Sequence, residues 1–265
     1  MHKQPPSFSY LSPARPRVLA HRGFAHANSA IENTIDAFKA ALELGATHIE
    51  SDIQVTSDGV AVLFHDDDLM RVAGLPQKVS QLTAQQLRDV DLGAGARIPT
   101  LAEALEQLPM ARFNLDFKVL SAVAAAAKDI KAANAEGRIL VASFSERRRK
   151  LAVEALTTNA VAAQSIASSA GSARVLALWV ATKFSADWLV RLLTREIAAL
   201  QIPTSSAGLR FDSPAFISKI KATGCEIHYW TVNEVDEMTR LNALGADGIV
   251  TDRTDIAVNT LLTAR

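Results

Sequence analysis

Two acidic residues, Glu50 and Asp52, lie two positions apart in the segment HIESDIQVTSDGVAVLFHDDDL, which otherwise alternates like a strand. Alternate residues of a strand face the same side, so both carboxylates would point in one direction. Two such carboxylates repel each other unless a cation lies between them, and their oxygens suit Mg²⁺ or Ca²⁺. The alternative is a buried ionic network in which Glu50 and Asp52 only pair with Arg22 or Lys118.

Two histidines follow predicted strands: His21 ends the run VLAH, and His65 comes directly after AVLF. Each could be a metal ligand, a proton carrier or a structural residue. A pair with one imidazole protonated and the other neutral is what acid–base cleavage of a phosphodiester needs. Arg22 and Lys118 would then neutralise the phosphate, Arg22 with two parallel hydrogen bonds. Asp116, two residues before Lys118 on the same strand face, would supply a third carboxylate.

These side chains meet only if the strands that carry them end at one face. Apolar runs that resemble strands alternate with stretches of helical period, which is typical of βα units around a parallel sheet. The predicted strands cover residues 18–20, 48–54, 60–64, 112–117, 139–143, 161–164, 198–202, 226–231 and 248–251. The predicted helices cover residues 34–44, 101–107, 122–133, 147–157, 187–197, 214–223, 235–244 and 256–262. We expect an α/β fold, a (β/α)8 TIM barrel with its active site at the C-terminal ends of the strands.

An internal repeat supports the barrel. LGATHIESD (44–52) and LGADGIVTD (244–252) share the pattern L-G-A-x-x-I-x-x-D, in which a helix ends at glycine and a strand ends at aspartate. Residues 1–16, rich in proline, are expected to form an irregular lead-in, and residues 17–265 a single barrel domain. Residues 66–99 interrupt the rhythm, so we expect a small loop and helix excursion after the second barrel strand.

Composition limits the possible partners. Lys plus Arg and Asp plus Glu both number 28, so the net charge is zero and no general attraction to nucleic acid or anionic lipid is expected. No apolar run reaches the roughly 18 residues of a spanning helix, which predicts no stable membrane insertion. The single cysteine, Cys225, excludes an intramolecular disulfide and indicates a reducing compartment, for which the cytoplasm is the simplest reading. The sequence indicates no particular oligomeric partner.

The ordered set of motifs resembles the glycerophosphodiester phosphodiesterase family. The motifs that carry the resemblance are HRG, ENT, GATHIESDIQVTSDGVAVLFHD, IPTLAEAL, NLDFK, YWTVN and LGADGIVTD, which follow the family's order between about residues 18 and 252. The resemblance implies metal-dependent hydrolysis of small glycerophosphodiesters, such as glycerophosphocholine or glycerophosphoethanolamine, to glycerol 3-phosphate and an alcohol.

The resemblance also implies a role for each matching position. His21 and His65 match the general acid and base, in an order that the sequence leaves open. The positions that match the ligands of the Mg²⁺ or Ca²⁺ ion are Glu50, Asp52 and Asp116. The positions that match the phosphate site and the substrate pocket are Arg22, Lys118, Glu32 and Trp230.

Two positions depart from the family pattern. The family usually has Glu where this chain has Asp116, so a direct bond to the ion would need a strand shift, or else a bridging water. It also tends to have Pro where this chain has Ile31, which we expect to change only the local turn. Two other functions stay open: a lysophospholipase D activity on lysophospholipids, and a catalytically silent barrel that binds a phosphorylated ligand. In the enzyme, the nucleophile is either water or the neighbouring hydroxyl of the glycerol.

Overall fold

The computed structural model describes residues 8–25, 31–157 and 166–263. Its strands are β1 (Arg17–His21), β2 (His48–Val55), β3 (Ala61–Leu63), β4 (Phe113–Phe117), β5 (Ile139–Ala142), β6 (Ala167–Ser168), β7 (Ala199–Ile202), β8 (Ser205–Ser206), β9 (Leu209–Arg210), β10 (Glu226–Tyr229) and β11 (Gly248–Thr251). Its α-helices are α1 (Ile35–Glu43), α2 (Met70–Ala73), α3 (Ala84–Arg88), α4 (Leu101–Gln107), α5 (Ala122–Ala132), α6 (Glu146–Leu156), α7 (Ser172–Lys183), α8 (Asp187–Thr194), α9 (Pro214–Lys221), α10 (Val235–Leu244) and α11 (Thr254–Leu261). Short 3-10 helices cover Ser9–Leu11, Val79–Gln81 and Glu136–Arg138.

Parallel strands form a nearly closed barrel in the order β6-β5-β4-β2-β1-β11-β10-β7. Its two ends meet through a parallel bridge between Ser169 and Ala199. The amide of Ala198 also donates a 2.8 Å hydrogen bond to the carbonyl of Ser168 across the same seam. The predicted (β/α)8 barrel is thereby confirmed, with β3 as an antiparallel partner of β2 outside the barrel order.

The predicted elements that lie within the described residues agree with observed ones to within a few residues, whereas α2, α7 and the hairpin strands β8 and β9 were not predicted. The predicted strand 161–164 lies outside the described residues, and the strand that the structure describes at this place in the barrel is β6. Helix α7 was not predicted, because apolar residues of SARVLALWVATK lie on several sides of the helix and leave no clear period. Among the described residues, no helix has the length and apolar character needed to span a membrane.

The excursion over residues 66–99 is packed and has its own apolar cluster. It follows the hairpin of β2 and β3, whose register pairs Ile53 with Leu63. The buried members of its cluster are Val62, Phe64, Leu69, Val79, Leu87, Val90, Leu92 and Ile98. Helix α3 is within the excursion, where the sequence predicted a small helix. The excursion is therefore held in a fixed position beside the end of β2.

The motif IPTLAEAL contains the N-terminal cap of α4. Thr100 caps α4: its hydroxyl accepts a 3.1 Å hydrogen bond from the amide of Glu103, whose carboxylate accepts a 2.8 Å bond from the amide of Thr100. This reciprocal capping box satisfies amides that the first turn of the helix leaves unpaired. It fixes where the chain leaves the excursion and re-enters the barrel.

Part of the predicted irregular lead-in closes the N-terminal end of the barrel. Phe8 and Tyr10 pack inside it against residues of β5, β6 and β7. The carbonyl of Tyr10 lies 3.0 Å from Nε2 of the fully buried His48. Beside them, Arg17 makes two hydrogen bonds to Glu226, of 2.8 and 2.7 Å. His48 and Arg17 thus both find hydrogen-bond acceptors in the segment that covers them, at the carbonyls of Tyr10 and Leu11.

The buried His48 makes the stability of the fold depend on pH. Burial lowers its pKa to about 3, whereas a histidine of the unfolded chain titrates near ~6.5. Between these values the unfolded chain binds more protons, so the stabilising contribution is complete above about pH 6.5 and is lost as the pH falls toward 3. We expect His48→Gln to reduce the loss of unfolding free energy between about pH 7 and pH 5 by about 2 kcal/mol, as measured by urea unfolding.

The comparison uses the difference between the two pH values within each protein. Any destabilisation of His48→Gln that is common to both pH values therefore cancels. Equal losses in the variant and the wild type would contradict the role assigned to His48.

Candidate active site

The C-terminal ends of the barrel strands surround a cavity of about 510 Å³. The predicted site residues that line it are His21, Arg22, Glu50, Asp52, His65, Asp116, Lys118 and Trp230. Glu32, the remaining predicted residue, lies next to the cavity and pairs with Arg22, whose Nη1 is 3.0 Å from Glu32 Oε1. The barrel therefore gathers the predicted residues in one place, while their roles stay predictions.

Three buried carboxylates lie at one end of the cavity, which we call the charged end. Glu50 and Asp52 come from β2, and Asp116 comes from β4, where it is the register partner of Asp52. The ammonium of Lys118 lies between two of them, 2.8 Å from Asp52 Oδ1 and 2.7 Å from Asp116 Oδ2. The Asp116 side chain is one methylene shorter than the glutamate expected at this position from the resemblance. It nevertheless reaches the same ammonium group as Asp52.

Glu50 is the carboxylate whose charge is compensated least. Burial and, after it, repulsion from Asp52 raise the pKa of Glu50 to about 8. Within the described ranges, the ion pair of Glu50 is with His21, whose Nε2 is 3.8 Å from Glu50 Oε2. Burial acts on Asp52 too, but the attraction of Lys118 and other cations outweighs it and lowers the pKa of Asp52. The cavity therefore lacks positive charge at Glu50.

The chemistry of these carboxylates suits a metal ion, but their present arrangement does not. Carboxylate oxygens are the ligands that Mg²⁺ and Ca²⁺ prefer, and an uncompensated Glu50 favours a bound cation. No group of three or more His, Cys, Asp or Glu side chains is arranged to hold a metal ion in the part of the chain that the structure describes. Lys118 bridges Asp52 and Asp116 instead. The set fits a divalent cation in its chemistry, provided that Lys118 moves away from at least one carboxylate.

His21 is oriented by a carboxylate on the neighbouring strand end. Its Nδ1 lies 2.7 Å from Asp252 Oδ1, and the Asn233 amide donates a 2.8 Å hydrogen bond to Asp252 Oδ2. An ionised carboxylate only accepts, so Nδ1 carries the proton and Nε2 faces Glu50. Burial would lower the pKa of His21, but the hydrogen bond to Asp252 and the charge of Glu50 outweigh it and raise the pKa.

His65 is held in the same way, through a chain of ion pairs. Its Nδ1 lies 2.6 Å from Asp66 Oδ1. Arg71 of α2 lies 2.6 Å from Asp66 Oδ2 and 2.5 Å from Glu32 Oε1. Since Glu32 also pairs with Arg22, the chain of charges connects the excursion with the end of β1. Asp66 therefore orients the imidazole of His65 from the same loop.

The HRG motif places Arg22 at the cavity through a tight turn. Arg22 has φ 56° and Gly23 has φ 84°, both in the left-handed region. A Cβ atom at Gly23 would lie 2.7 Å from the carbonyl carbon of Ala37 in α1, so only glycine allows this close approach. The amide of Arg22 donates a 2.9 Å hydrogen bond to the carbonyl of Glu50, which fixes the turn beside β2.

The opposite side of the cavity is apolar. We call it the apolar wall; its members are Phe144, Val175, Leu176, Pro203, Leu209, Phe211 and Trp230. The rings of Phe144 and Trp230 meet edge to face, with centroids 6.0 Å apart. Helix α7 and the hairpin of β8 and β9 supply the outer part of this wall, whereas no residue of 66–99 lines the cavity. An apolar surface thus leads away from Trp230.

Sequence reasoning missed several residues of this site. Asp252 and Asn233 belong to the motifs LGADGIVTD and YWTVN, yet their contact with His21 needs three strand ends to come together. Arg71 belongs to none of the motifs, and only its position in the excursion could have indicated a role. Leu176 lies on α7, the helix that was not predicted.

Comparison with known proteins gives consistent matches. The family model described as the glycerophosphoryl diester phosphodiesterase family matches residues 21–256. A relative named probable glycerophosphodiester phosphodiesterase 2, from Mycobacterium tuberculosis, is 37% identical over 97% of this chain and 95% of its own length.

Solved structures share the fold. A putative glycerophosphoryl diester phosphodiesterase from Silicibacter pomeroyi has a TM-score of 0.76 at 19% identity and covers 96% of this chain and 97% of its own. An Oleispira antarctica phosphodiesterase, solved in complex with the product sn-glycerol-3-phosphate, has a TM-score of 0.71 at 24% identity and covers 93% of this chain and 96% of its own.

The contact between His21 and Asp252 can be tested without an activity assay. Asp252→Asn removes the negative charge that stabilises protonated His21, so we expect the pKa of His21 to fall. NMR titration of the histidine ring protons would measure it, with the His21 signal assigned by its loss in His21→Ala.

The control is Asp255→Asn, which removes a nearby carboxylate paired with Arg253 at 2.9 Å on the surface. It should leave the pKa of His21 unchanged. An unchanged pKa in Asp252→Asn would show that Asp252 does not set the state of His21.

Proposed function

Since the chain belongs to the glycerophosphoryl diester phosphodiesterase family, we propose that it hydrolyses glycerophosphodiesters, such as glycerophosphocholine or glycerophosphoethanolamine, to glycerol 3-phosphate and an alcohol. One observation carries the proposal: two histidines, each fixed through Nδ1 by a carboxylate, line one cavity together with Arg22 and Lys118. Proton carriers and cations around one cavity are what cleavage of a phosphodiester requires.

The two imidazoles divide the proton transfers between them. Since Asp252 and Asp66 hold Nδ1 of His21 and His65, Nε2 is the ring atom left for substrate. One Nε2 accepts the proton of the attacking hydroxyl as its oxygen bonds to phosphorus. The other gives a proton to the leaving oxygen as its bond to phosphorus breaks. The attacking hydroxyl belongs either to water or to the neighbouring carbon of the glycerol, which would give a cyclic phosphate first.

Arg22 and Lys118 are the cations proposed to hold the phosphate. Both line the cavity and both now face Asp52, with Arg22 Nε at 3.4 Å and Lys118 Nζ at 2.8 Å from its carboxylate. Nε of Arg22 is buried and makes no hydrogen bond to the described residues. A phosphate oxygen at this position would give it an acceptor, which supports Arg22 as a phosphate ligand.

A divalent cation, Mg²⁺ or Ca²⁺, is proposed at Glu50, Asp52 and Asp116. Its support is the raised pKa of Glu50, which a cation beside the carboxylate would lower again. When bound, such an ion neutralises phosphate charge and makes a hydroxyl more acidic. We also propose a cytoplasmic location, on the ground that the single cysteine, Cys225, is a free buried thiol.

The apolar wall favours a second candidate function, lysophospholipase D activity on a lysophospholipid. An acyl chain needs an apolar surface that starts at the reacting phosphate and continues outward. Leu176 lines the cavity, and the exposed Val180 follows it on α7 after four residues, hence on the same side of the helix. The exposed Phe184 comes four residues later, at the C-terminal cap of α7. Such a surface could hold a chain too long for the cavity itself.

The first candidate is tested by product release. We expect the protein to release glycerol 3-phosphate from glycerophosphocholine with Mg²⁺ or Ca²⁺, and to stop when a chelator removes the ion. His21→Ala and His65→Ala should each lower kcat by about 100- to 10,000-fold, because each removes a proton transfer.

Asp255→Asn serves as the matched surface control and should keep wild-type turnover. Near wild-type turnover in either histidine variant would contradict the proposed mechanism. No metal-dependent product with any head group would support the catalytically silent barrel instead.

The second candidate is tested by choline release from lysophosphatidylcholine. We expect Leu176→Asn to slow it about tenfold, since a buried apolar contact of this size is worth at least ~1.4 kcal/mol, and to leave glycerophosphocholine turnover unchanged. Leu192→Asn, a matched change of an exposed leucine on α8 outside the cavity lining, is the control and should keep the wild-type rate of choline release. No choline release by the wild-type protein would exclude this candidate.

A further inference from the structure

Two amide side chains in the cavity have no role in the proposed mechanism. Asn114 of β4 and Gln201 of β7 both line it. Asn114 is 4% exposed, and its Oδ1 has no hydrogen-bond partner among the described residues. Nε2 of Gln201 is likewise shielded and unpaired within the described part of the chain. A buried polar atom without a partner is unfavourable, so the cavity must supply one from a ligand or water.

Their positions place these amides across the barrel from each other. Asn114 is the register partner of Glu50, so it lies beside the charged end, one inward-facing position below Asp116. Gln201 lies on β7, separated from β4 by β5 and β6 in the barrel order. The lining residues of the strands between them are small, Ala142 and Ser169, which leaves space for a ligand group between the two amides.

The chemistry of this pair selects a neutral polar ligand. An amide oxygen accepts a hydrogen bond and an amide nitrogen donates one, so together they match hydroxyl groups, which do both. Neither carries a charge, so the pair offers no compensation to a phosphate or an ammonium group. We propose that Asn114 and Gln201 bind the hydroxyl groups of the glycerol moiety and thereby select phosphodiesters that carry a polyol.

This inference rests on the proposed function, because it assigns the glycerol end of the same substrate. Arg22 and Lys118 take the phosphate, and the amide pair takes the hydroxyl groups of the glycerol. Selectivity follows from the missing partners: a ligand without hydroxyl groups leaves both amides buried and unpaired.

Binding of two phosphate monoesters by the full-length protein tests the inference. Glycerol 3-phosphate and n-propyl phosphate share the phosphate and the three-carbon chain, and differ in the hydroxyl groups. With Mg²⁺ present, isothermal titration calorimetry should show the wild type binding glycerol 3-phosphate about 10- to 100-fold more tightly. Gln201→Met, which keeps the length of the side chain, should bring the ratio close to one by weakening glycerol 3-phosphate alone.

The control is Ser206→Ala, which changes another polar residue of the cavity lining. It should keep the wild-type ratio. Asn114→Leu gives an independent second variant with the same expected loss. A wild-type ratio near one, binding of neither ester, or a full ratio retained in Gln201→Met would each overturn the inference. If Gln201→Met does not fold, the wild-type ratio and Asn114→Leu decide.

The outcome is separable from that of the proposed function. A high wild-type ratio without hydrolysis of glycerophosphocholine would overturn the proposed function and keep the polyol site. Hydrolysis with a ratio near one would keep the proposed function and overturn the polyol site.

Discussion

Repulsion between buried carboxylates is the constraint on which the rest of the site depends. The parallel register of β2 and β4 places Asp52 directly beside Asp116, with Glu50 two residues earlier on the same inward face. Such a cluster is stable only with positive charge around it, and the folded chain supplies this from Lys118 and Arg22. These two cations compensate Glu50 only in part, so burial and the charge of Asp52 keep its pKa raised. A further cation beside Glu50 would lower this pKa. This unequal distribution of charge supports the proposal that the site binds both a metal ion and a phosphate.

Buried charged side chains have different surroundings at the two ends of the barrel. At the N-terminal end Arg17 and Glu226 satisfy each other, and the segment around Tyr10 covers them. At the C-terminal end the cations and carboxylates stay within reach of an open cavity. Stability and function are therefore assigned to different ends of the same strands, as is general for this fold. Acid titration of His48 concerns the first end and leaves the chemistry of the second unaffected.

The sequence was sufficient for what depends on period and order along the chain. Alternation within a strand put Glu50 and Asp52 on one face, and the count of βα units placed His21 and His65 at one end of the barrel. It was insufficient for contacts between distant segments. The pairing of His21 with Asp252 requires barrel closure, and that of Arg71 with Glu32 requires the path of the excursion. Such contacts are set by tertiary packing, which no local pattern contains.

The groups proposed for the chemistry and the outer apolar wall come from different elements of the barrel. The groups proposed to cleave the phosphodiester lie on or directly after β1, β2, β3 and β4, where the strands hold them rigidly. The outer apolar wall comes from α7 and the hairpin of β8 and β9, and its Leu176 is exposed at the edge of the cavity. Substitutions there change what fits against Trp230 without moving the carboxylates. We therefore expect one arrangement of catalytic groups to be compatible with either proposed substrate, and the residues of α7 to determine whether an acyl chain is accepted.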